Sequence, residues 1–137
     1  MSEAQNKQVI ERCFAAYCND DMDVLDAAAA PDYTYHDPAQ PAIRTWSEHK
    51  AQLRGLRQSI PDLRFEIDEL LVDGDRVAVR WTMRGTHQGK LLGLPATGRA
   101  FETKGHSLYH LVDGRVAVAY SLSDLFGLQR QLAANKA

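Results

Sequence analysis

The stretch LRFEIDELLVDGDRVAVRWTMR, residues 63–84, carries the clearest structural pattern in the chain. Apolar and polar residues alternate on both sides of its centre, Asp73-Gly74-Asp75, apart from a lapse at Glu69. A period of two is typical of a strand that buries one face, and an Asp-Gly pair favours a tight hairpin turn. Residues 63–84 therefore predict two long antiparallel strands joined by a short turn.

The same alternation continues towards the C-terminus. Residues 101–112 and 116–123 predict two further strands, with a second Asp-Gly pair at 113–114 between them. A loop over 88–98 that contains glycine and proline separates this hairpin from the first one. Asp124 precedes an apolar run and is suited to cap a last helix over 125–134.

The N-terminal half of the chain has helical spacing instead. Apolar residues recur at intervals of three and four over 5–19, which predicts an amphipathic helix. A second helix is predicted over 22–29, and a third begins at Thr45 or Ser47 and ends near Ser59.

The order of these elements indicates the fold class. A short extended piece at 33–37 lies between the second and third helices, and the hairpin-linked strands follow. Helices followed by such strands indicate an α+β fold with an antiparallel sheet. Helices packed on one face of a curved sheet would leave a mostly apolar pocket between the two layers.

Composition narrows the class of protein. The 137 residues fit a single domain, 1–137, and 16 basic residues nearly balance 18 acidic ones. A formal net charge of −2 disfavours nucleic-acid binding. No apolar run is long enough to cross a membrane, and the N-terminus lacks the apolar core of a signal peptide, so we expect a cytoplasmic protein that binds no membrane. Cys13 and Cys18 fall on different faces of the first helix and are expected to be reduced thiols.

Short motifs of metal, nucleotide and serine-nucleophile sites are missing from the sequence. Only His106 and His110 are close together among the histidines, and on one strand they would lie ~13 Å apart. That separation is too large for one metal ion, so we predict no metal site. His49 and His87 are expected to lie on the surface.

The candidate catalytic group consists of His106, His110 and Asp124. The carboxylate of Asp124 falls at the end of an apolar row on the last strand, where desolvation would raise its pKa and suit general acid/base catalysis. The structural alternatives are a plain helix cap for Asp124 and ordinary core or surface positions for the histidines.

The turn at Asp113-Gly114 determines whether the histidines join Asp124. In a two-residue turn, His110 would oppose Ala117, whose parity is opposite to that of Asp124.

In a three-residue loop that begins at Val112, His110 would oppose Val116 and His106 would oppose Tyr120. Both histidines would then lie on the face of Asp124. We prefer this arrangement because it also makes one coherent inner row. That row would contain Leu108, Val112, Val116, Val118 and Leu122.

Several motifs, taken in order, resemble those of one known family. Ile60-Pro61-Asp62-Leu63 is similar to its first long strand, residues 73–81 to its central hairpin, and residues 85–99 to its loop. Residues 105–116 with Asp124 resemble its C-terminal end. The family is the SnoaL-like polyketide cyclase (ester cyclase) branch of the NTF2-like superfamily, and the resemblance covers nearly all of residues 5–134.

The resemblance implies a fold and a reaction. The family fold is a cone in which a curved antiparallel sheet wraps the N-terminal helices around one deep apolar pocket. Its cyclases close a ring of an anthracycline-type polyketide ester by an intramolecular aldol reaction, with no metal and no organic cofactor. We therefore expect a cofactor-free enzyme with a hydrophobic small-molecule substrate, and a homodimer formed through the open sheet face.

The resemblance also implies roles for individual residues. Asp124 matches the family's general base, His110 matches a histidine fourteen residues before it, and His36 falls in a pocket-lining turn. Tyr17 and Tyr35 fall where pocket aromatics are expected. The candidate substrate-binding set is completed by His106, Tyr120 and Trp46.

Three positions depart from the family pattern. Tyr120 replaces a common tryptophan, Ser123 a common aromatic residue and Val118 a common acidic residue, which predicts a reshaped pocket. Other functions considered on this fold are an isomerase of the ketosteroid type, an epoxide hydrolase and a non-catalytic module for small-molecule binding or dimerisation.

Overall fold

The computed structural model describes residues 2–133, which form four helices and five strands. In chain order they are α1 (Glu3–Asn19), α2 (Met22–Ala28), β1 (Ala29–His36), α3 (Trp46–Ser59), β2 (Arg64–Asp73), β3 (Arg76–Thr86), β4 (Ala100–Val112), β5 (Arg115–Ser123) and α4 (Leu125–Ala133). Every predicted helix and strand is present within a few residues of its predicted ends. The predicted last residue of α4, Ala134, lies outside the described residues.

The helix starts follow from local side-chain chemistry. α1 and α3 each begin with a reciprocal capping box, Ser2 with Gln5 and Thr45 with Glu48, so Thr45 rather than Ser47 caps α3. Asp21 caps α2 by accepting a hydrogen bond from the backbone N–H of Val24. None of the described helices is long and apolar enough to cross a membrane.

The five strands form one sheet in the order β1-β5-β4-β3-β2. Neighbouring strands from β2 to β5 are antiparallel, as predicted, and β1 runs parallel to β5, so the sheet is mixed. Alternation shows which face of a strand is buried and does not show its direction. β1 is an edge strand, which is where a strand can contain a proline such as Pro31.

Helices cover the concave face of the sheet. α1 lies against β2 and β3, α3 against β1, and α4 against β4. The core consequently lies on one side of the strands, and the opposite side, here called the outer face, has no covering helix in the described chain. The core includes Ile10, Phe14, Val77, Val79, Trp81, Leu111 and Leu128.

The turn between β4 and β5 differs from the preferred prediction. Asp113 and Gly114 both have positive φ, 51° and 75°, which is the signature of a two-residue type I′ turn. Val112 accordingly pairs with Arg115. The three-residue loop preferred from the sequence is therefore wrong.

A β-bulge just after this turn changes which face each residue of β5 presents. Leu111 pairs with Val116, but His110 pairs with Val118, so Ala117 is an extra residue in the ladder. The insertion reverses the parity of the rest of the strand. Val116 points inward. Val118 and Leu122, which were predicted to lie in the same inner row, point outward because they follow the bulge.

Candidate active site

A cavity of about 210 Å³ lies between the concave face of the sheet and the helices. Most of its wall is apolar, which gives the low-polarity surroundings typical of small-molecule sites. The apolar wall includes Phe14, Leu53, Leu56, Phe65, Met83 and Leu128. The polar groups that reach the cavity come from α1, from β1 and the residues just after it, and from α3, β4 and β5.

Asp37 is the one carboxylate that lines this cavity among the described residues. Alternation along β1 turns Tyr33 and Tyr35 inward. Asp37 follows the strand with the same parity, and its side chain is only 4% exposed. Three donors hold the carboxylate: the backbone N–H of Ala39 (2.9 Å), the side-chain amide of Gln40 (3.2 Å) and the Tyr35 hydroxyl (3.4 Å). Its orientation is therefore fixed before a ligand enters.

His49 reaches the same cavity from the first turn of α3. Its Nδ1 lies 2.8 Å from the hydroxyl oxygen of Tyr33, and its ring stacks on that of Tyr35. Burial lowers the pKa of His49 to about 3, so the imidazole is neutral near pH 7.

Two serines on neighbouring strands form a polar step in the wall. Ser107 on β4 and Ser121 on β5 are directly paired, with 3.1 Å between their hydroxyl oxygens. The indole N–H of Trp81 donates to Ser107 (3.0 Å), which leaves the serine hydroxyl hydrogens available as donors towards Ser121 or the cavity.

Tyrosine hydroxyls complete the polar lining. Burial raises the pKa of Tyr35 to about 12, with the neighbouring Asp37 carboxylate acting in the same direction. Burial likewise raises the pKa of Tyr17 and of Tyr109. All three phenols therefore stay neutral at physiological pH and can donate hydrogen bonds.

Only two of the sequence-predicted site residues, Tyr17 and Tyr35, line the cavity. Trp46 packs behind it, because its ring meets Tyr33 and His49 edge-on and its indole N–H donates to Asp26 (2.8 Å).

Asp124 lies outside the cavity. It is exposed, and its carboxylate accepts a hydrogen bond from the backbone N–H of Gly127 (2.8 Å), which is the cap geometry of α4. His110 pairs with Val118, and Val118 is six residues before Asp124, roughly 20 Å along a strand. The structure therefore does not bring His110 and Asp124 together.

The remaining predicted residues lie on the outer face. His36 and His106 are exposed, and Tyr120 is 43% exposed. The ring of His36 stacks on Tyr120 with 5.0 Å between centroids, and His110 meets the same ring edge-on at 5.6 Å. Of the three departures from the family pattern, only Ser123 lines the cavity.

The outer face has an apolar row that crosses all five strands. Strand pairing aligns Leu71, Ala78, Leu108, Tyr120 and His36 side by side. The row forms one wall of a shallow groove of about 600 Å³. Large exposed apolar side chains on adjacent strands are typical of protein contact surfaces.

Sequence reasoning missed Asp37, His49, Ser107 and Ser121. Asp37 had a usable signal, since it shares the parity of Tyr33 and Tyr35. For Ser121 there was none, because the bulge at Ala117 reverses the parity of β5.

The expectation that His49 and His87 lie on the surface is wrong, since both are buried. The sequence contained a signal for His49 that was not used. His49 shares a helical spacing with Leu53, Leu56 and Ile60, which predicts that it lies on the inner side of α3.

These groups define what the cavity can do chemically. A buried carboxylate, a neutral imidazole and several neutral hydroxyls converge in an apolar space. A carboxylate can take a proton from an acidic carbon, and fixed donors can stabilise the oxygen anion that results. Among residues 2–133, no three His, Cys, Asp or Glu side chains come together as a metal-ligand set.

Comparison with known proteins identifies the family. Residues 7–132 match the family described as SnoaL-like polyketide cyclase. The chain is 29% identical over 112 residues to nogalonic acid methyl ester cyclase of Streptomyces nogalater, covering 80% of this chain and 84% of that protein. It is 37% identical over 60 residues to aklanonic acid methyl ester cyclase DnrD of Streptomyces peucetius, covering 44% of this chain and 41% of that protein.

A solved structure extends the comparison to the whole fold. TsrD from Streptomyces laurentii is 33% identical, superposes with a TM-score of 0.88, and covers 98% of this chain and 99% of its own. The chain belongs to the SnoaL-like polyketide cyclase family, and its α+β cone is the fold of that family.

Proposed function

We propose that this protein is a cofactor-free cyclase that closes a ring in a hydrophobic carbonyl compound by an intramolecular aldol reaction, with Asp37 as the general base. The observation that carries the proposal is the buried Asp37 carboxylate, held by three donors at the wall of an apolar cavity. Membership of the SnoaL-like family and the likeness to two methyl ester cyclases support the reaction class.

The proposed reaction needs only proton transfers and one new carbon–carbon bond. Asp37 takes a proton from the carbon between two carbonyl groups, and the electron pair of that C–H bond moves into an enolate. The enolate carbon attacks a ketone of the same molecule, and the resulting alkoxide takes the proton back from Asp37. One C–H bond and the π bond of the attacked ketone break, one C–C and one O–H bond form, and no group leaves.

The lining of the cavity favours an uncharged and compact substrate. No lysine or arginine of the described chain lines the cavity, so a carboxylate on the substrate would meet Asp37 without a compensating cation. A volume of about 210 Å³ lies below the ~300–1,000 Å³ typical of drug-sized ligands. We therefore propose a neutral ester or ketone with one or two rings.

The test compares two aspartate variants on one substrate. The wild type and Asp37→Asn are incubated with an aromatic β-keto ester that bears a second ketone in reach, and the cyclised product is measured by liquid chromatography and mass spectrometry. Asp37→Asn should lower kcat by about 10²–10⁴-fold, the usual contribution of general acid/base catalysis.

Asp124→Asn is the matched control. Asn caps a helix about as well as Asp, so this variant should fold normally and keep wild-type kcat. Loss of activity in Asp124→Asn with full activity in Asp37→Asn would overturn the assignment and restore Asp124 as the base.

We also propose that the protein forms a homodimer through the outer face. The exposed apolar row around Tyr120 supports this proposal, and the family resemblance suggests the same surface.

A further inference from the structure

We infer that His49 is a catalytic hydrogen-bond donor whose neutral imidazole presents Nε2–H to the substrate oxygen that becomes negative. This role rests on the proposed function, since it concerns the same cavity. It goes beyond that function by assigning the stabilising group and its protonation state.

The hydrogen bond to Tyr33 fixes which ring nitrogen carries the proton. Tyr33 Oη lies 2.8 Å from His49 Nδ1 in the buried interior, and within residues 2–133 this hydroxyl has no other hydrogen-bond partner. Its hydrogen needs an acceptor, because a buried donor left without one is costly. The hydroxyl therefore donates to Nδ1, and the proton of the neutral ring must be on Nε2.

The other edge of the ring is free to meet a ligand. Within the described chain, Nε2 of His49 has no protein partner. The fully buried side-chain polar atoms that lack a partner there are Asn6 Oδ1 and His87 Nε2, so Nε2 of His49 is not fully buried. His49 lines the cavity, and this unpartnered edge of its ring is the one we assign to the ligand.

Packing holds the donor beside the proposed base. The imidazole stacks on Tyr35 with 3.9 Å between centroids, and Trp46 meets it edge-on at 5.7 Å. The Tyr35 hydroxyl in turn donates to Asp37. Carboxylate, phenol and imidazole are thus consecutive along one wall of the cavity, an order that suits a reaction in which one group removes a proton and another binds an oxygen of the same substrate.

A neutral donor suits this interior better than a charged one. An imidazolium here would be a buried cation, and burial lowers the pKa of the ring accordingly. Neutral histidine as the electrophilic partner of a carboxylate base is a workable catalytic arrangement.

The first experiment measures the tautomer directly. Two-bond correlations from the ring protons of His49 to its nitrogens, in ¹⁵N-labelled protein near pH 7, should show a neutral ring with hydrogen on Nε2. Tyr33→Phe should remove this preference, and a neutral Nδ1–H ring or an imidazolium in the wild type would overturn the inference. The result does not depend on any turnover, so it stands apart from failure of the proposed cyclase activity.

The second experiment uses 2-naphthol as a probe of the donor. The naphthol oxygen should move the Nε2–H resonance of His49 downfield, while Asp37→Asn keeps this shift. Binding that perturbs cavity side chains such as Met83 and leaves the His49 resonance in place would contradict the donor role.

Kinetics of the cyclisation complete the test. His49→Phe should lower kcat by about 10²–10³-fold with a smaller change in KM, which is the usual effect of removing one donor to a developing oxygen anion. His49→Gln keeps an N–H donor and should recover part of the loss, whereas a purely packing role would favour the aromatic variant. Arg54→Gln, at an exposed position of the same helix that does not line the cavity, is the control and should keep wild-type kcat.

Discussion

The rings of Tyr35 and His49 stack with 3.9 Å between their centroids and 24° between their planes. Tyr35 comes from β1 and His49 from α3, so the packing of one helix on one edge strand sets the distance between the Asp37 wall and the imidazole. α3 is fixed at its start by the capping box of Thr45 and Glu48. The position of His49 relative to Asp37 therefore depends on the capping box at the start of α3, in the same helical turn as His49.

His49 should make the protein less stable in acid. Its pKa is about 3 in the folded state against an ordinary value near 6.5, so the unfolded chain binds the extra proton. Stability from this group is complete above about pH 6.5 and is lost as the pH falls towards 3, at up to ~1.4 kcal/mol per pH unit. Urea unfolding near pH 6.5 and pH 5 should show that the wild type loses roughly 2 kcal/mol more than His49→Gln. If His49→Gln lost as much unfolding free energy as the wild type between pH 6.5 and pH 5, His49 would already be charged in the folded protein at pH 5.

Gly105 should be intolerant of a side chain. A Cβ there would lie 2.1 Å from the Trp81 ring, well inside van der Waals contact. Gly105→Ala should therefore cost about 1–3 kcal/mol of unfolding free energy, measured by urea denaturation. Gly55→Ala is the matched control, because this helical glycine has open space around it; it should stabilise by roughly 0.5–1 kcal/mol. Equal effects of the two substitutions would contradict the packing described around Trp81.

The Asp124 carboxylate should contribute to stability as a helix cap. Asp124→Ala should lower the unfolding free energy by about 1 kcal/mol, since the Gly127 N–H loses its acceptor. Asp124→Asn should change it by only a few tenths of a kcal/mol. Thermal and urea unfolding of both variants provide the measurement, and an alanine variant as stable as the wild type would remove the capping role.

Leu122 should matter for assembly if the outer face joins two copies of the chain. Leu122 is 60% exposed and lies beside the groove, so Leu122→Glu would place two charges in the interface of a dimer. Light scattering after size exclusion should give twice the 15.3 kDa chain mass for the wild type and 15.3 kDa for the variant. Phe126→Glu, at an apolar position of α4 that is 71% exposed, should stay dimeric. A monomeric wild type would end the dimer proposal.

The sequence was sufficient to predict the elements and the fold class, because alternation and helical stripes persist over whole strands and helices. It failed for the face of β5, where Val118, Tyr120 and Leu122 keep an apolar period of two although they point outward. A bulge depends on backbone geometry, and an apolar outer row leaves the same pattern as a buried inner row.

The candidate site was only partly predictable for a related reason. The family resemblance predicted Tyr17 and Tyr35 as pocket residues, and both line the cavity. Asp37 was placed only at the end of the extended piece at 33–37, with no role assigned. Histidine is compatible with surface and interior alike, so His49 was misplaced. The predicted face of His110 depended on the length of the turn at Asp113-Gly114, and that of Asp124 also on the parity of β5 beyond Ala117.

The bulge at Ala117 offers a route by which such a cavity could diverge in evolution without exchanging a single catalytic side chain. It sets the point along β5 at which inside and outside are swapped. If the extra residue were at position 121, Val118 and Tyr120 would face the substrate, and Ser121 would leave the wall while Ser123 kept its place. Two relatives with nearly identical strands but different bulge positions would then present different chemistry, and an alignment by sequence alone would pair residues that point to opposite sides of the sheet.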